Sequence, residues 1–394
     1  MMTIVRPPTG TPPETFSRSI FLAGPSPRDG VGLDWRTDAL SVLADLGWNG
    51  VVFAPLPENG KVPDYDAQVE WEQTAMGISD LIVFWVPRSE TLPGFTTNVE
   101  FGVWFKSGKA LLGLPPGAPK TRYLETLADQ EGVLVRYDLR ALLADAIAKI
   151  GPGAARTGGE REVPLQIWTL PAFQGWLKAQ KAAGNRLDGA KTVMTFRVGP
   201  KKERLFLFAL HVDVHIGAEG RNKTNEIVIF RPDVSMVVAW SGPSVGFEER
   251  TPNDLRVAVV KEFRSPAAVG DCFVREVPGG SSAKPEEDPL VVAAHEVEEE
   301  TGLVVDPSRL SRLPSRQVAA TLAAHKAHVW AVELTPEEMD SLAADKGVHG
   351  VEEDTERTFV EVRTVRELLA DSLTDWATLG MIFAAIPQGW FSEP

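Results

Sequence analysis

The sequence predicts a doubly wound α/β domain followed by an α+β domain. Over the first 150 residues, short apolar runs alternate with amphipathic stretches, as expected of parallel strands joined by helices. From residue 191 the pattern changes to successive strands, followed by one helix rich in carboxylates. A chain of 394 residues is long enough for two such domains.

Strands and helices alternate regularly in the first domain. The predicted strands are residues 19–24, 50–55, 80–86, 109–114 and 133–137. The predicted helices are residues 34–46, 66–78, 97–106 and 138–150, which carry apolar residues three and four positions apart. In an open parallel sheet of this kind, ligands bind in a crevice at the carboxyl ends of the strands.

A change of composition separates the two domains. Residues 151–162 are small and polar without periodicity, which is typical of a linker or long loop, and residues 171–183 predict a connecting helix. The predicted organisation is therefore a domain at 1–150, a linker and helix at 151–190, and a second domain at 191–394.

The sequence of the second domain predicts a series of strands and one carboxylate-rich helix. The predicted strands are residues 192–198, 204–214, 226–230, 235–240 and 256–263, with further strands near 327–332 and 357–362. The predicted helices are residues 290–301 and a C-terminal stretch. This order predicts a mixed α+β architecture.

Composition excludes several classes of protein. Lys and Arg total 40 against 54 Asp and Glu, and the net charge of −14 disfavours binding to a nucleic acid duplex or a membrane surface. The single cysteine, Cys272, cannot form an intrachain disulfide or a thiolate zinc site, and this fits a reducing compartment. With no apolar run of signal-peptide or membrane-span length, we expect a cytoplasmic protein.

The carboxylate helix is the most informative stretch of the chain. Glu296, Glu299 and Glu300 share one helical face, and like charges at this spacing repel by about 0.2–0.5 kcal/mol per pair. They also precede Gly302, at the helix end where the dipole disfavours anions. A hard divalent cation would reverse both effects. The alternative is a solvated acidic face.

The order of residues around this helix resembles the signature of the Nudix hydrolase family. Gly280, Glu287 and the run HEVEEETGL at 295–303 follow that signature, with one extra residue after Gly280 and with His295 where the family has arginine. The flanking segments VAVVKEFRSP (257–266), REVPGG (275–280) and LTDWATL (373–379) are similar to the ADP-ribose pyrophosphatase-like branch.

That resemblance implies an α/β/α sandwich that uses Mg²⁺ or Mn²⁺ to hydrolyse a nucleoside diphosphate derivative, such as an ADP-ribose-like or modified nucleotide. The base that accepts the water proton could come from the helix, at Glu299, or from the acidic loop 350–356, where Glu352 and Glu353 compete with a simple solvated loop. The implied metal ligands are Glu287, Glu296, Glu299 and Glu300, and the implied substrate contacts are Arg264 and Glu276.

Two segments of the first domain resemble the nucleoside 2-deoxyribosyltransferase family. They are WEQTAMGISDLIVFWVP (71–87) and TTNVEFGVWFKSGKALLGL (96–114), and the similarity covers roughly residues 18–115. It implies a flavodoxin-like fold. Before them, the FLAGP segment places Gly24 and Pro25 in a turn that would bring backbone N–H groups to the crevice, although a plain turn is the alternative.

The resemblance implies that Glu100 attacks the anomeric carbon and displaces the base, and that Glu72 assists the leaving base. The alternative for Glu100 is a capping box formed by residues 97–100 at the start of a helix. Trp71, Trp85 and Trp104 are candidates to stack on a base, although aromatic residues at such spacings are also common in cores.

The sequence therefore predicts a Mg²⁺-dependent hydrolase of a nucleoside diphosphate derivative fused to a domain that acts on a glycosidic bond. One alternative is a nucleotide N-glycosidase or deoxyribosyltransferase that works through Glu100, with a second domain that only recognises ligand. Another is a non-catalytic nucleotide sensor. The partner is a small nucleotide or nucleoside diphosphate, and both a monomer and a homo-oligomer remain open.

Overall fold

A computed structural model describes most of the chain and divides it into two compact units, Met1–Phe230 and Arg231–Pro394. The described residues are 1–26, 34–56, 64–90, 92–242, 251–281, 287–351 and 356–386. No helix in these ranges is both long and apolar enough to cross a bilayer.

The first unit contains eleven strands and seven α-helices among its described residues. The short strands are β1 (Thr3–Val5), β2 (Thr15–Phe16), β3 (Ser19–Ala23), β4 (Val51–Phe53), β5 (Leu81–Trp85), β6 (Ala110–Gly113), β7 (Val135–Arg136) and β8 (Arg156–Thr157). The long strands are β9 (Arg186–Val198), β10 (Arg204–Ile216) and β11 (Arg221–Phe230). The helices are α1 (Trp35–Asp45), α2 (Tyr65–Ile78), α3 (Phe95–Trp104), α4 (Arg122–Gln130), α5 (Leu139–Ile150), α6 (Leu165–Trp168) and α7 (Pro171–Ala182).

A parallel sheet of six strands forms the centre of this unit, in the order β1-β4-β3-β5-β6-β7. Apart from the edge strand β1, this is the doubly wound order in which the ligand crevice opens where strand order reverses, here between β3 and β5. Apolar clusters cover both faces of the sheet. The predicted fold class is confirmed, and the sequence analysis missed β1, β2 and α4 among the described strands and α-helices up to residue 150.

The segment predicted as a linker is packed into the first unit. Arg156 is fully buried and donates from both terminal nitrogens to the Asp80 carboxylate, at 2.6 and 2.7 Å. Asp80 also accepts from the backbone N–H groups of Ser19 and Leu165. Because this buried ion pair joins positions 76 residues apart, hydrophobic periodicity could not reveal it. The segment 151–162, predicted as a linker or long loop, is held against the first unit by this pair.

We expect Arg156→Ala to destabilise the first unit by about 3–5 kcal/mol, because the substitution leaves the Asp80 carboxylate buried without its counter-charge. Urea unfolding followed by tryptophan fluorescence measures the loss. Arg140→Ala is the control: Arg140 and Asp45 form an exposed ion pair at 3.6 Å, and its loss should cost less than about 1 kcal/mol. Equal stabilities for the two variants would contradict this account of Arg156.

The three long strands form a separate antiparallel sheet in the order β11-β10-β9. Phe208 stacks on Phe230 with ring centroids 4.7 Å apart, and Phe173 of α7 packs on Phe230 at 5.9 Å. The compact units divide after Phe230. These strands therefore lie in the first unit, whereas the sequence analysis grouped them with the second domain.

The second unit contains a mixed sheet with helices on both faces. Its strands are β12 (Val234–Ser241), β13 (Arg256–Phe263), β14 (Phe273–Glu276), β15 (Gly279–Gly280), β16 (Ser311–Arg312), β17 (Arg316–Gln317), β18 (Lys326–Glu333) and β19 (Phe359–Thr364). Its helices are α8 (Pro289–Thr301), α9 (Pro336–Ala344), α10 (Val365–Ala370) and α11 (Trp376–Ala385).

Alternate residues of the central strand β12 face two different cores. Val237 and Ala239 pack with α8 and α9, whereas Val238 and Trp240 pack with α10 and α11. Strand β12 runs parallel to β18 and antiparallel to β13 and β15. The unit is therefore an α/β/α sandwich of mixed strand direction, as the sequence predicts.

Candidate active sites

The first candidate site lies at the carboxyl edge of the parallel sheet. Strand β3 ends at Ala23, and the following Gly24 has no room for a side chain, since a Cβ atom there would lie 2.1 Å from the carbonyl oxygen of Trp85. A Cβ atom on Gly94, which precedes α3, would lie 3.4 Å from the Cβ atom of Pro25. The predicted Gly24–Pro25 turn and the start of α3 therefore meet at this edge.

Glu100 lies within α3 and is only 9% exposed. The helix begins at Phe95, and its N-cap is Gly94, a left-handed residue with φ of 66° that makes no side-chain cap bond. Thr97 is a buried residue inside the helix. The capping-box interpretation of residues 97–100 is therefore wrong, because the helix starts before Thr97 and leaves the Glu100 carboxylate available for another role.

A buried arginine that the sequence analysis missed supports this site. Arg36 of α1 is 2% exposed and donates to the carbonyl oxygen of Gly24 at 2.6 Å and to Asp34 Oδ1 at 3.1 Å. Its positive charge acts on both Glu100 and Glu72 and favours their ionised forms. No local motif marks Arg36 as part of the site, because Gly24 follows β3, and Glu72 and Glu100 lie on α2 and α3.

Glu100 and Glu72 form a pair of carboxylates with raised pKa values. Burial raises the pKa of Glu100 to about 7, the negative charge of Glu72 adds to this shift, and Arg36 opposes it. Burial also raises the pKa of Glu72, against a hydrogen bond of 2.7 Å that Gln68 Nε2 donates to Glu72 Oε1. Carboxylates whose pKa values are raised toward neutral pH are expected where one group acts as a nucleophile and another as a proton donor.

The three tryptophans considered for base stacking have structural contacts. Trp85 is part of the core beneath the sheet edge. Trp71 packs edge-on against Phe53, with ring centroids 6.3 Å apart, and the Lys109 ammonium lies 4.7 Å from the ring centroid of Trp104. These contacts explain all three positions without a ligand.

A cavity of about 470 Å³ lies beside α3, on a different side of this helix from the Glu100 carboxylate. Its walls include Arg88, Asn98, Gly102 and Tyr123, and Glu100 is not among them. Because helical residues two positions apart point to nearly opposite sides, Asn98 and Gly102 face away from Glu100. This cavity is therefore separate from the carboxylate pair.

The second candidate site is in the second unit, where a pair of glycines lies against the carboxylate helix. Glu300 is 2% exposed, and its Oε2 atom accepts from the Gly279 N–H at 2.8 Å. A Cβ atom on Gly280 would lie 2.4 Å from the Glu296 carboxylate. The structure thus brings Gly280, Glu296 and Glu300 together.

Two further carboxylates complete an acidic cluster. Carboxylate oxygens of Glu262, Glu300 and Glu356 lie within 4.8 Å of one another. Sequence reasoning missed Glu262, because it lies in the apolar strand β13 and reads as part of a core pattern, and it missed Glu356 in the acidic loop. The loop residues that it did consider, Glu352 and Glu353, lie outside the described residues.

The electrostatics of this cluster favour a bound cation. Burial raises the pKa of Glu296 to about 7, with further contributions from the charges of Glu299 and Glu356. Burial also raises the pKa of Glu300 well above its ordinary value, and the charges of Glu296 and Glu356 add to this shift. Several hard carboxylate oxygens around one point are the ligands that Mg²⁺ prefers, so the donor set fits a divalent cation.

The remaining predicted metal ligands are Glu299 and Glu287. Glu299 is half-buried, and its Oε2 atom lies 3.2 Å from Nδ1 of His295 on the preceding turn. His295 thus lies next to a neighbouring carboxylate, at the position where the resemblance expects arginine. Glu287 is exposed just before the helix N-cap Asp288, and it is not part of the acidic cluster.

The predicted substrate contacts, Arg264 and Glu276, form an ion pair beside the acidic cluster. Arg264 donates to Glu276 Oε2 at 2.8 Å, and its NH2 atom lies 2.9 Å from Glu262 Oε2. The negative charges of Glu276, Glu262 and Glu300 together raise the pKa of Arg264 against the effect of its burial. Arg264 therefore links the carboxylates of the cluster to the strand that precedes the glycine pair.

Comparison with known families identifies the first unit in part. Residues 17–118, about a quarter of the chain, match the family model described as "Nucleoside 2-deoxyribosyltransferase like". No curated protein matches the sequence. The chain thus contains a nucleoside 2-deoxyribosyltransferase-like domain that includes Glu72 and Glu100, whereas the Nudix resemblance of the second unit stays a prediction.

Proposed function

We propose that the first unit cleaves the N-glycosidic bond of a nucleoside or nucleotide through Glu100. The observation that carries this proposal is the pair formed by half-buried Glu72 and buried Glu100, whose charges interact with each other and with Arg36, in a nucleoside 2-deoxyribosyltransferase-like domain. Two carboxylates with raised pKa values can divide the roles of nucleophile and proton donor.

The reaction needs both carboxylates in different protonation states. Ionised Glu100 attacks the anomeric carbon and forms an ester bond, while the C–N bond breaks and its electron pair leaves with the base. Protonated Glu72 supplies the proton that the departing base takes up. Water, or a second base, then attacks the same carbon and gives its proton to Glu72, while the ester bond breaks and its electron pair returns to the Glu100 carboxylate. Arg36 favours the ionised form of Glu100.

Release of free base tests this proposal. The purified chain is incubated in EDTA with a panel of nucleosides, 2′-deoxynucleosides and nucleoside 5′-monophosphates, with and without a second free base, and the products are separated by chromatography. We expect base release or base exchange from at least one member, without any need for a divalent metal. If every member of the panel is recovered intact, the proposal is wrong.

The pH dependence of base release should report the ionisation of Glu100. Because Glu100 must be ionised and Glu72 protonated, the pair must hold one proton, and we expect a bell-shaped profile: the rate rises as the pair loses its first proton and falls as it loses the second, around the raised pKa of about 7. Glu72→Gln removes both the proton donor and a charge that raises the pKa of Glu100, so the maximal rate should fall, the midpoint of the rising limb should move to lower pH, and the fall at high pH should disappear. The exposed Glu70→Gln on the same helix is the control and should leave the midpoint unchanged.

A second activity is favoured by the acidic cluster of the second unit. We propose that this unit hydrolyses a nucleoside diphosphate derivative with Mg²⁺ or Mn²⁺, and the observation that supports this is the convergence of Glu262, Glu300 and Glu356 beside Glu296. A bound divalent cation would supply charge neutralisation at the diphosphate oxygens and lower the pKa of a bound water.

The residues of the second unit have distinct proposed roles. Glu296, Glu300, Glu262 and Glu356 would hold the cation, and the Arg264 guanidinium would contact the anionic substrate beside them. Glu299 and Glu353 stay the predicted acceptors of the water proton.

Product analysis with and without metal tests the second activity. The protein is incubated with Mg²⁺ and ADP-ribose, NAD or deoxynucleoside triphosphates, and chromatography detects nucleoside monophosphate. We expect monophosphate release that stops in EDTA. If no diphosphate bond is cleaved and nucleotides only raise the unfolding temperature, the second unit is a nucleotide-binding module instead, since a ligand that binds only the folded state stabilises it.

A further inference from the structure

Three polar side chains meet at one end of the second-unit sheet, beside the glycine pair. Strand pairing places Ser235 opposite Gly280 and Val234 opposite Ala327. Arg231, just before β12, Ser281, just after β15, and His325, just before β18, therefore come to the same end of the sheet. Gly280 itself lies against Glu296.

The contacts of Arg231 hold its guanidinium at this end. Its NH2 atom donates to Ser281 Oγ at 2.6 Å. Burial lowers the pKa of Arg231, and the nearby positive charge of Arg264 lowers it further. Arg231 thus holds a guanidinium beside the Ser281 hydroxyl, and guanidinium and hydroxyl groups are hydrogen-bond donors that bind phosphate oxygens.

His325 adds an imidazole ring to the cluster. Its Nδ1 atom is buried and has no hydrogen-bond partner among the described residues. Burial lowers the pKa of His325, the charge of Arg231 lowers it further, and the negative charge of Asp233 opposes these two effects. A buried ring nitrogen without a partner loses about 1–3 kcal/mol of solvation, which a hydrogen bond to a bound ligand would restore.

We propose that Arg231, Ser281 and His325 form an anion subsite that binds a phosphate group of the substrate. The subsite adjoins the acidic cluster through Arg264, whose charge acts on both sets of residues. This inference rests on the proposed diphosphate hydrolysis. It predicts that the substrate is a nucleoside diphosphate derivative that carries a further phosphate group, which is not part of the cleaved diphosphate bond.

Histidine NMR of the full chain in EDTA tests the subsite without any turnover. The chain has six histidines, so selective ¹³C labelling of the rings gives few signals, and His325→Gln assigns one of them. We expect inorganic phosphate to shift the His325 signal in a saturable manner. Arg231→Gln should weaken this binding by about tenfold or more, because a charge-assisted hydrogen bond is lost.

Arg366→Gln is the matched control, since Arg366 is exposed and pairs with Asp254 elsewhere in the same unit; it should leave phosphate binding within about twofold of the wild type. Unshifted signals from the other histidines show that each variant is folded, and Ser281→Ala provides a second, milder loss of binding. If phosphate does not shift the His325 signal, or if Arg231→Gln binds phosphate as tightly as the wild type, the proposal is wrong.

Turnover separates the subsite from the proposed function. With Mg²⁺, we expect wild type to prefer ADP-ribose 2′-phosphate to ADP-ribose, and Arg231→Gln to lose this preference through a raised KM with little change in kcat. If no diphosphate is cleaved while phosphate still shifts His325, the hydrolysis proposal fails and the subsite stands. If hydrolysis proceeds with no such shift, the subsite fails alone.

Discussion

Glu100→Gln is expected to abolish base release while making the folded protein more stable. Loss of a nucleophile typically costs about 10³-fold or more in kcat, and the amide of glutamine cannot take its place. Glutamine has nearly the same shape as glutamate, so the helix and the sheet edge should remain intact. Chromatography of free base, in a chain whose fold is verified by circular dichroism, measures the loss.

The expected gain in stability follows from the raised pKa of Glu100. Because the folded-state pKa is about 7 and the ordinary value is 4.5, the folded state binds this proton more tightly than the unfolded state. Stability therefore falls as pH rises from about 4.5 to about 7, and above pH 7 the ionised carboxylate costs the fold about 1–3 kcal/mol. Glu100→Gln removes that cost at pH 8 and changes little at pH 4.

Glu70→Gln provides the control for both effects. Glu70 is exposed on α2, so its substitution should change neither base release nor the pH dependence of stability. If Glu100→Gln is less stable than the wild type at pH 8 and still releases base, Glu100 is a structural residue and the proposed site is wrong.

The second large effect is expected from Glu296→Gln in the second unit. This substitution removes one charged oxygen donor from the proposed cation site, so Mg²⁺-dependent monophosphate release should fall by roughly 10²-fold or more, as expected when several kcal/mol of charge stabilisation are lost. Glu298→Gln on the same helix is the control, because Glu298 is exposed and lies on another face. Its activity should equal that of the wild type.

Metal binding gives a second measurement that does not depend on turnover. Mg²⁺ should raise the unfolding temperature of the wild type and of Glu298→Gln but not that of Glu296→Gln. Because the pKa of Glu296 is about 7, protons compete with the cation, and the stabilisation by Mg²⁺ should be stronger at pH 8 than at pH 6. Equal stabilisation of all three proteins would contradict the assignment of Glu296 as a ligand.

The elements of the fold could be predicted because their sequence signals are local. Buried strands such as β3 and β5 are continuous apolar runs, and helices such as α1 and α8 show regular apolar spacing after an Asp N-cap. Glu100, Glu296 and Glu300 could also be found, since each lies in a short motif with characteristic spacing.

Residues that act across long sequence separations could not be predicted in the same way. Arg36 reaches the Gly24 turn from another element, and Arg156 pairs with Asp80 across 76 positions. Glu262 looks like one more member of an alternating strand until the fold brings Glu300 and Glu356 to it. A charged residue inside an apolar strand is the one sequence signal that could have indicated Glu262.

The most direct test of the glycosidic-bond proposal is to locate the covalent intermediate. The chain is incubated with a 2′-fluoro nucleoside, in which the fluorine slows breakdown of the intermediate by disfavouring positive charge at the anomeric carbon, then quenched in acid and digested with trypsin. Trypsin separates the Glu72 peptide, residues 62–88, from the Glu100 peptide, residues 89–106. The proposal predicts the mass of the sugar on the second peptide and its absence in Glu100→Gln; sugar on the first peptide, or undiminished base release by Glu100→Gln, would contradict it.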